Sequence, residues 1–206
     1  MRDLTPLVAP RSVAVIGASS NPSKSGGVLF KNIVAGGFAG PVHPINPRAG
    51  EILGRRAYPT MRAVPEPVDL VFVVLPQGGV RAALEDCIAS RARAACIITG
   101  GFAEAGEDGK RLQDQLRDLV RGAGLLTIGP NTIGTVNAEC RLMGSFTPFP
   151  DWQVGPVSIF CQTGIFAGAA MVQLMAQPVQ RYGIGMSVDA GNKVDVDELD
   201  FLRFAA

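Results

Sequence analysis

Ser12-Val13-Ala14-Val15-Ile16-Gly17-Ala18-Ser19-Ser20-Asn21-Pro22-Ser23-Lys24-Ser25-Gly26-Gly27 is an apolar run that breaks into a turn of small and polar residues before a helix-like segment resumes. A buried strand delivering such a turn leaves backbone N–H groups and hydroxyls converging on one spot. The start of the following helix adds a partial positive charge there. The pattern reads as a phosphate cradle for a ligand that contains a nucleotide, with Gly17, Ala18, Ser19, Ser20 and Lys24 as candidate contacts. It departs from the dinucleotide fingerprint G-x-G-x-x-G, because only Gly17 fits and Ser19 and Pro22 stand at the other two glycine positions. The phosphates are therefore expected to meet a loop of a different path.

A second departure follows the next strand, Val42-His43-Pro44-Ile45, where an NAD site would place an acidic residue for the ribose 2′-hydroxyl. The chain instead reads Asn46-Pro47-Arg48. With a guanidinium offered in place of a carboxylate, the adenosine ribose is expected to carry its own phosphate, and coenzyme A and NADP both fit. Taken without the cradle, Arg48 reads equally well as a solvated loop arginine.

The 206 residues are 47% hydrophobic, enough for one large or two small cores. Nineteen basic residues against eighteen acidic ones leave a net charge of +1, which speaks against a sequence-independent nucleic-acid binder and against a polybasic membrane anchor. No apolar run approaches the ~20 residues of a membrane helix, and Met1 to Ser12 lacks a signal-peptide pattern, so a cytoplasmic protein is expected. Cys87, Cys96, Cys140 and Cys161 lack C-x-x-C spacing, and there is one histidine, so no metal site is expected and the thiols read as reduced and mostly buried.

Val68 to Leu75 is a nearly continuous apolar run ended by Pro76, the pattern of a strand covered on both faces. Val80, Ala83, Leu84, Cys87 and Ile88 recur at helical spacing, Ala94 to Ile98 reads as another buried strand, and Leu112, Leu116, Leu119 and Val120 mark a helix stopped by Gly122 and Gly124. Leu125 to Ile128 is a further strand. The alternation predicts an α/β fold in which residues 1–138 form a Rossmann-like, doubly wound parallel sheet. Residues 139–154, with Phe146-Thr147-Pro148-Phe149-Pro150-Asp151-Trp152, read as a linker or a short edge strand. Residues 155–206 read as an incomplete second α/β domain: strands at Val157–Cys161 and Gly183–Val188, a helix at Gly164–Met175, and an amphipathic segment at Val196–Phe204.

Gly129-Pro130-Asn131-Thr132-Ile133-Gly134 follows a buried strand, at the sheet edge where open α/β folds bind ligands, and Asn131 offers both a donor and an acceptor; an ordinary turn is the alternative. Cys161-Gln162-Thr163-Gly164 repeats the arrangement. The helix that follows is apolar nearly all round and is expected to be buried, with its amino end as an anion site or simply capped by Thr163. In Asp189 to Glu198 the carboxylates suit the start of a helix, leaving Asn192 and Lys193 as the better ligand candidates. His43, with no partner motif, reads as structural.

Taken together, Val15-Ile16-Gly17-Ala18-Ser19, Asn46-Pro47-Arg48, Val74-Leu75-Pro76, Ile98-Thr99-Gly100-Gly101-Phe102-Ala103-Glu104, Gly129-Pro130-Asn131, Gln162-Thr163-Gly164 and Gly191-Asn192-Lys193-Val194-Asp195-Val196-Asp197-Glu198 resemble the alpha-type region of the NDP-forming acyl-CoA synthetases, relatives of succinyl-CoA synthetase and the ADP-forming acetate–CoA ligases. The resemblance implies a CoA-binding Rossmann-like domain followed by a flavodoxin-like ligase domain. It also implies chemistry that passes phosphate from ATP or GTP to a histidine, then to a carboxylic acid, with release as coenzyme A attacks the acyl phosphate. By the same resemblance, Gly17 to Ser20 and Arg48 would hold the coenzyme A phosphates, Pro76 and Thr99 would border its pantetheine arm, and Gln162, Thr163 and Gly164 would form a phosphate loop. The family often has cysteine where Thr132 stands, and Arg203 stands where a glutamate contacts the phosphohistidine. That histidine falls beyond Ala206, so the chain is expected to be part of a longer polypeptide, completed by an ATP-grasp region or subunit that binds ATP or GTP with Mg2+, and to work as an oligomer. A non-catalytic CoA-binding or acyl-CoA-binding module and an NADP-binding oxidoreductase domain are the competing readings.

Overall fold

The computed structural model describes residues 2–147, 154–175 and 183–205. In chain order the elements are α1 (Thr5–Val8), β1 (Val13–Ile16), α2 (Ser25–Ala35), β2 (Val42–Ile45), β3 (Glu51–Ile52), β4 (Arg55–Arg56), β5 (Leu70–Val73), α3 (Gln77–Ala89), β6 (Ala94–Ile97), α4 (Glu107–Ala123) and β7 (Leu126–Ile128). They continue with β8 (Gly134–Asn137), β9 (Leu142–Ser145), β10 (Val154–Cys161), α5 (Gly164–Met175), β11 (Ile184–Asp189) and α6 (Glu198–Ala205).

The first sheet has the order β2-β1-β5-β6-β7, and every pairing in it is parallel. This is the α/β, doubly wound arrangement expected from the alternating pattern. Parallel neighbours need crossovers, and the crossover helices cover both faces, which explains why β1, β5 and β6 are buried at every residue. Leu29, Phe30 and Ile33 of α2 pack on one face together with Leu4 and Leu7. Val80 and Leu84 of α3 pack on the other with Leu116 and Val120 of α4. Gly124 ends α4 in the left-handed conformation, φ 69°, and Leu125 then donates its N–H to the Val120 carbonyl, the stop that the glycine predicts. Strand order reverses between β1 and β5, so the turns after these two strands flank the crevice where open α/β sheets bind ligands.

The second sheet, β10-β11-β8-β9, pairs β10 with β11 in parallel and the remaining strands antiparallel. It draws β8 from the stretch assigned by sequence to the first domain and β9 from the expected linker. The chain passes from the first sheet to the second between Ile128 and Gly134. Gly134, at φ 110°, makes this turn possible. Most of the Phe146–Trp152 segment lies outside the described residues.

One correction concerns α5. Its apolar circumference predicts a buried helix, yet Ile165 is 87% exposed and Phe166 60%, while Ala167 is fully buried against the sheet. Among the described residues no element covers its outer face. The two sheets meet where α2 packs on β9 and α1 and β6 approach β8, while α6 packs on the second sheet, where Phe201 stacks on Phe160 with ring centroids 4.9 Å apart and Asp197 caps the helix by accepting the N–H groups of Leu199 and Asp200. Arg2 and Arg121 pair with the buried Asp195, which also accepts the Thr127 N–H.

A buried carboxylate ties the chain start to the first sheet. Asp69 accepts the Arg11 N–H at 2.9 Å and pairs with the Arg11 and Arg93 guanidinium groups, each at 3.2 Å. Burial pushes its carboxyl up, but these hydrogen bonds outweigh burial and hold it below the usual carboxylate range. A depressed folded-state pKa contributes stability that is present above the unfolded value and lost as pH falls through the folded one. Urea midpoints are therefore expected to drop more steeply below about pH 4 for the native protein than for Asp69→Asn, whose midpoint is lower at neutral pH.

Candidate functional site

The cradle is set by backbone overlap. Gly17 sits at φ 90°, and a Cβ there would overlap the Val74 carbonyl oxygen; a Cβ on Gly26 would overlap the Gly17 carbonyl oxygen, and one on Gly27 the Asn21 carbonyl oxygen. The turn thus passes between the end of β5 and the first turn of α2 with room for glycine alone. Within the loop the Ser19 hydroxyl accepts the Asn21 N–H, and Asn21 Oδ1 accepts the Ser23 N–H, which leaves Ser20 and Lys24 exposed on the outside.

Asn46 fastens the loop after β2 to this cradle. Its amide donates to the Ala18 carbonyl at 2.8 Å and its Oδ1 accepts the Arg48 N–H at 2.8 Å, so the Arg48 backbone is fixed beside the cradle. The Arg48 side chain is exposed and has no ion-pair partner among the described residues. Gly17, Ala18, Ser19, Ser20, Lys24 and Arg48 are accordingly gathered at one end of the sheet edge.

Pro76 lies exposed after β5. Thr99, after β6, donates its hydroxyl to the Leu75 carbonyl at 2.6 Å and accepts the Asn131 N–H on its own carbonyl at 2.9 Å, which links the turns after β5, β6 and β7 in a row. Neighbouring strands lie ~4.8 Å apart, so roughly 14 Å separates the cradle from Asn131 along this edge. Gln77 donates to the Gly101 carbonyl, and Glu104 accepts the Gly101 N–H and the Asn192 amide. Burial pushes the Glu104 carboxyl up, but the Asn192 amide and the backbone N–H groups of its own loop hold it below its ordinary value. Sequence reading missed Asn46 and Gln77 as site residues, and placed Glu104 only within a motif.

At the far end of the row, Asn131 shares a cleft of about 520 Å3 with Gln162, Thr163 and Gly164, the turn that opens α5. The candidate residues therefore form two groups: the glycine-walled turn after β1 with the Arg48 loop, and a cleft between the sheets, with Pro76 and Thr99 on the edge between them. Lys193 Nζ bonds Gln162 Oε1 at 3.2 Å and Glu198 Oε1 at 3.0 Å, so Asn192 and Lys193 are engaged within the protein. The Thr132 hydroxyl donates to the Asp189 carbonyl at 2.6 Å and accepts the Gly134 N–H, a turn-fixing role. Arg203 is exposed on α6. All four cysteines are free; burial pushes the Cys87 thiol up to about 12 and the Cys161 thiol up to about 11. His43 is buried on β2, with Glu66 Oε1 3.6 Å from Nε2 and no hydrogen bond to that atom among the described residues, and burial lowers its pKa, in keeping with a structural role.

The CoA binding domain family matches residues 11–138, more than half of the chain. The chain belongs to this family. Beyond the CoA-binding domain the likeness continues into the second sheet. The chain is 36% identical over 205 residues to the alpha subunit of acetate–CoA ligase [ADP-forming] I of Pyrococcus furiosus, covering 98% of this chain and 44% of that protein. It is 34% identical to acetate–CoA ligase [ADP-forming] II of Archaeoglobus fulgidus, covering 98% of this chain and 30% of that protein. Among solved structures, the dinucleotide forming acetyl-coenzyme A synthetase 1 of Ca. Korarchaeum cryptofilum, in complex with phosphate and ADP, superposes with a TM-score of 0.92 at 36% identity, covering 99% of this chain and 43% of that one. The chain thus spans less than half the length of these relatives. No helix among the described residues is long and apolar enough to cross a membrane.

Proposed function

We propose that this chain is the coenzyme A-binding portion of an NDP-forming acid–CoA ligase. The observation that carries the reading is the extent of the likeness: both sheets, and not the CoA-binding domain alone, follow a protein named as an acetyl-coenzyme A synthetase. That extent favours a ligase segment over a free-standing CoA-binding module, for which the first sheet alone would be enough. An NADP-binding oxidoreductase accounts for Arg48 but leaves the second sheet without a role.

In this reading the cradle, Lys24 and Arg48 hold the phosphates of coenzyme A, Pro76 and Thr99 border the pantetheine arm, and the thiol end reaches the cleft at Asn131. There the first turn of α5, with Gln162, Thr163 and Gly164, presents N–H groups that have no intrahelical acceptor to an anion. The thiol gives up its proton, its sulfur attacks the carbonyl carbon of an acyl phosphate, the C–O bond to phosphate breaks, and phosphate leaves with the balance of charge made up by that proton as the thioester forms. The phosphohistidine that forms the acyl phosphate, and an ATP-grasp region or subunit for ATP or GTP with Mg2+, belong outside this chain; among the described residues no three His, Cys, Asp or Glu side chains are grouped to hold a metal. An oligomeric, cytoplasmic enzyme acting on a small carboxylic acid completes the proposal.

Calorimetric titration of the full-length protein with coenzyme A, dephospho-coenzyme A and NADP tests it. Coenzyme A is expected to bind most tightly and NADP not at all. Tight NADP binding without a response to coenzyme A would remove the reading.

A further inference from the structure

The turn after β6 is gripped from both sides. Gln77, in the first turn of α3, donates its side-chain amide to the Gly101 carbonyl, and Glu104 Oε1 accepts the Gly101 N–H at 2.5 Å. The second oxygen of the Glu104 carboxylate reaches away from this turn: Oε2 accepts the Asn192 side-chain amide at 2.5 Å, in the loop that follows β11. Gln113 of α4 supports that bond, since its Oε1 accepts the same Asn192 amide at 2.9 Å and the Ala103 N–H at 3.3 Å.

These contacts close on Asn131. The Asn192 N–H donates to the Pro130 carbonyl and the Asn131 N–H to the Thr99 carbonyl, each at 2.9 Å. A circuit therefore runs from Glu104 through Asn192, Pro130, Asn131, Thr99 and Gly101 back to Glu104. A Cβ on Gly100 would stand 3.0 Å from Glu104 Oε1 and 3.1 Å from Asn131 Oδ1, which puts both side chains over the same bare backbone. Asn131 itself sits at φ 60°, a left-handed conformation uncommon outside glycine that its surroundings must hold in place. Glu104 is the charged member of the circuit. Its carboxyl is held below the ordinary value, so at neutral pH both oxygens accept, and hydrogen bonds to an ionised acceptor are the stronger kind.

We propose that Glu104 is a positioning residue: by tying the turn after β6 to the loop after β11, it holds Asn131 where the thiol end of coenzyme A arrives. The proposal rests on the coenzyme A reading, in which the phosphates bind at the cradle, roughly 14 Å away along the sheet edge. Loss of Glu104 should therefore loosen the hold on the pantetheine arm and spare the hold on the phosphates.

Adenosine 3′,5′-bisphosphate, which has the phosphorylated adenosine of coenzyme A without the arm, separates the two ends. In calorimetric titrations of the full-length protein, Glu104→Ala is expected to weaken coenzyme A about tenfold, the scale of a lost charge-assisted hydrogen bond, and to leave the bisphosphate within about twofold of native. Equal losses for the two ligands, or no loss for coenzyme A, would overturn the proposal and leave the coenzyme A reading standing. Failure of coenzyme A to bind the native protein would overturn both.

A double-mutant cycle tests the route. If Glu104 acts through Asn131, Glu104→Ala should cost little in an Asn131→Ala background; losses that simply add would mean that Glu104 works independently of Asn131 and would overturn the proposal. Glu104→Gln covers the case in which Glu104→Ala does not fold. It keeps the volume and an oxygen for the Gly101 N–H but turns an amide donor toward the Asn192 donor. A melting temperature near native is expected, with coenzyme A weakened about threefold or more. Native affinity in Glu104→Gln would overturn the proposal.

Discussion

Gly17→Ala is expected to weaken coenzyme A binding by more than about a hundredfold and to lower the melting temperature. Three backbones meet at this residue: the Gly17 turn itself, the end of β5 at Val74, and the first turn of α2 at Gly26. A methyl group at Gly17 would overlap the Val74 carbonyl oxygen, and φ of 90° is strained for any L-residue, a cost of about 1–3 kcal/mol before displacement is counted. The turn has no free direction in which to relax, because its other side is closed by Gly26, which has no side chain to yield. Moving the turn carries the Ala18 carbonyl with it and breaks the Asn46 bond that positions Arg48. Gly122→Ala is the control: it lies in α4 with open space around it, and replacing glycine at such a helical site is expected to raise stability by ~0.4–1 kcal/mol without touching affinity. Titration and thermal melts of both variants decide the matter. Native affinity in Gly17→Ala would place the phosphates away from this turn.

How much of this was legible in the sequence follows from where each residue's environment originates. Strands β1, β5 and β6 are covered on both faces, so burial writes itself into the chain as unbroken apolar runs. Strands β8 and β9 read Gly-Thr-Val-Asn and Leu-Met-Gly-Ser, short and rich in glycine and polar residues; they pair with each other, and the pairing of β8 with β11, some 50 residues away, is what draws them into the second sheet. The hairpin β3–β4 has two residues per strand, too few for a period to register. In α5 the apolar composition was legible but its exposure was not, since composition reports what a helix can bury and not what covers it. The site divides in the same way. The cradle is a local event of strand, turn and helix start, and its residue types name themselves. Asp189 stood in a run of carboxylates that suits a helix start, but its position in the cleft is defined by the N–H groups of Ile133 and Gly191 and by the closeness of Gly164, and the Ile133 and Gly164 contacts arise only when β11 pairs with β8 and β10.

Arg48→Ala is expected to weaken coenzyme A more than dephospho-coenzyme A by ~1–3 kcal/mol, about 5- to 150-fold, the scale of a charge-assisted hydrogen bond to phosphate. The prediction depends on a guanidinium that is positioned but unoccupied. Asn46 fixes the Arg48 backbone beside the cradle, and the side chain has no acidic partner among the described residues, so its charge is available to a ligand. A phosphate on the adenosine ribose gives it one; dephospho-coenzyme A lacks that group and should be nearly indifferent to the substitution. Arg48→Lys is expected to recover part of the loss, since a point charge replaces the planar fork but cannot bond bidentately. The difference between the two ligands should also shrink as salt rises, because the contact is exposed and screened. Equal losses for both ligands, or a gap that ignores ionic strength, would assign Arg48 to the solvent and leave the ribose phosphate to Lys24.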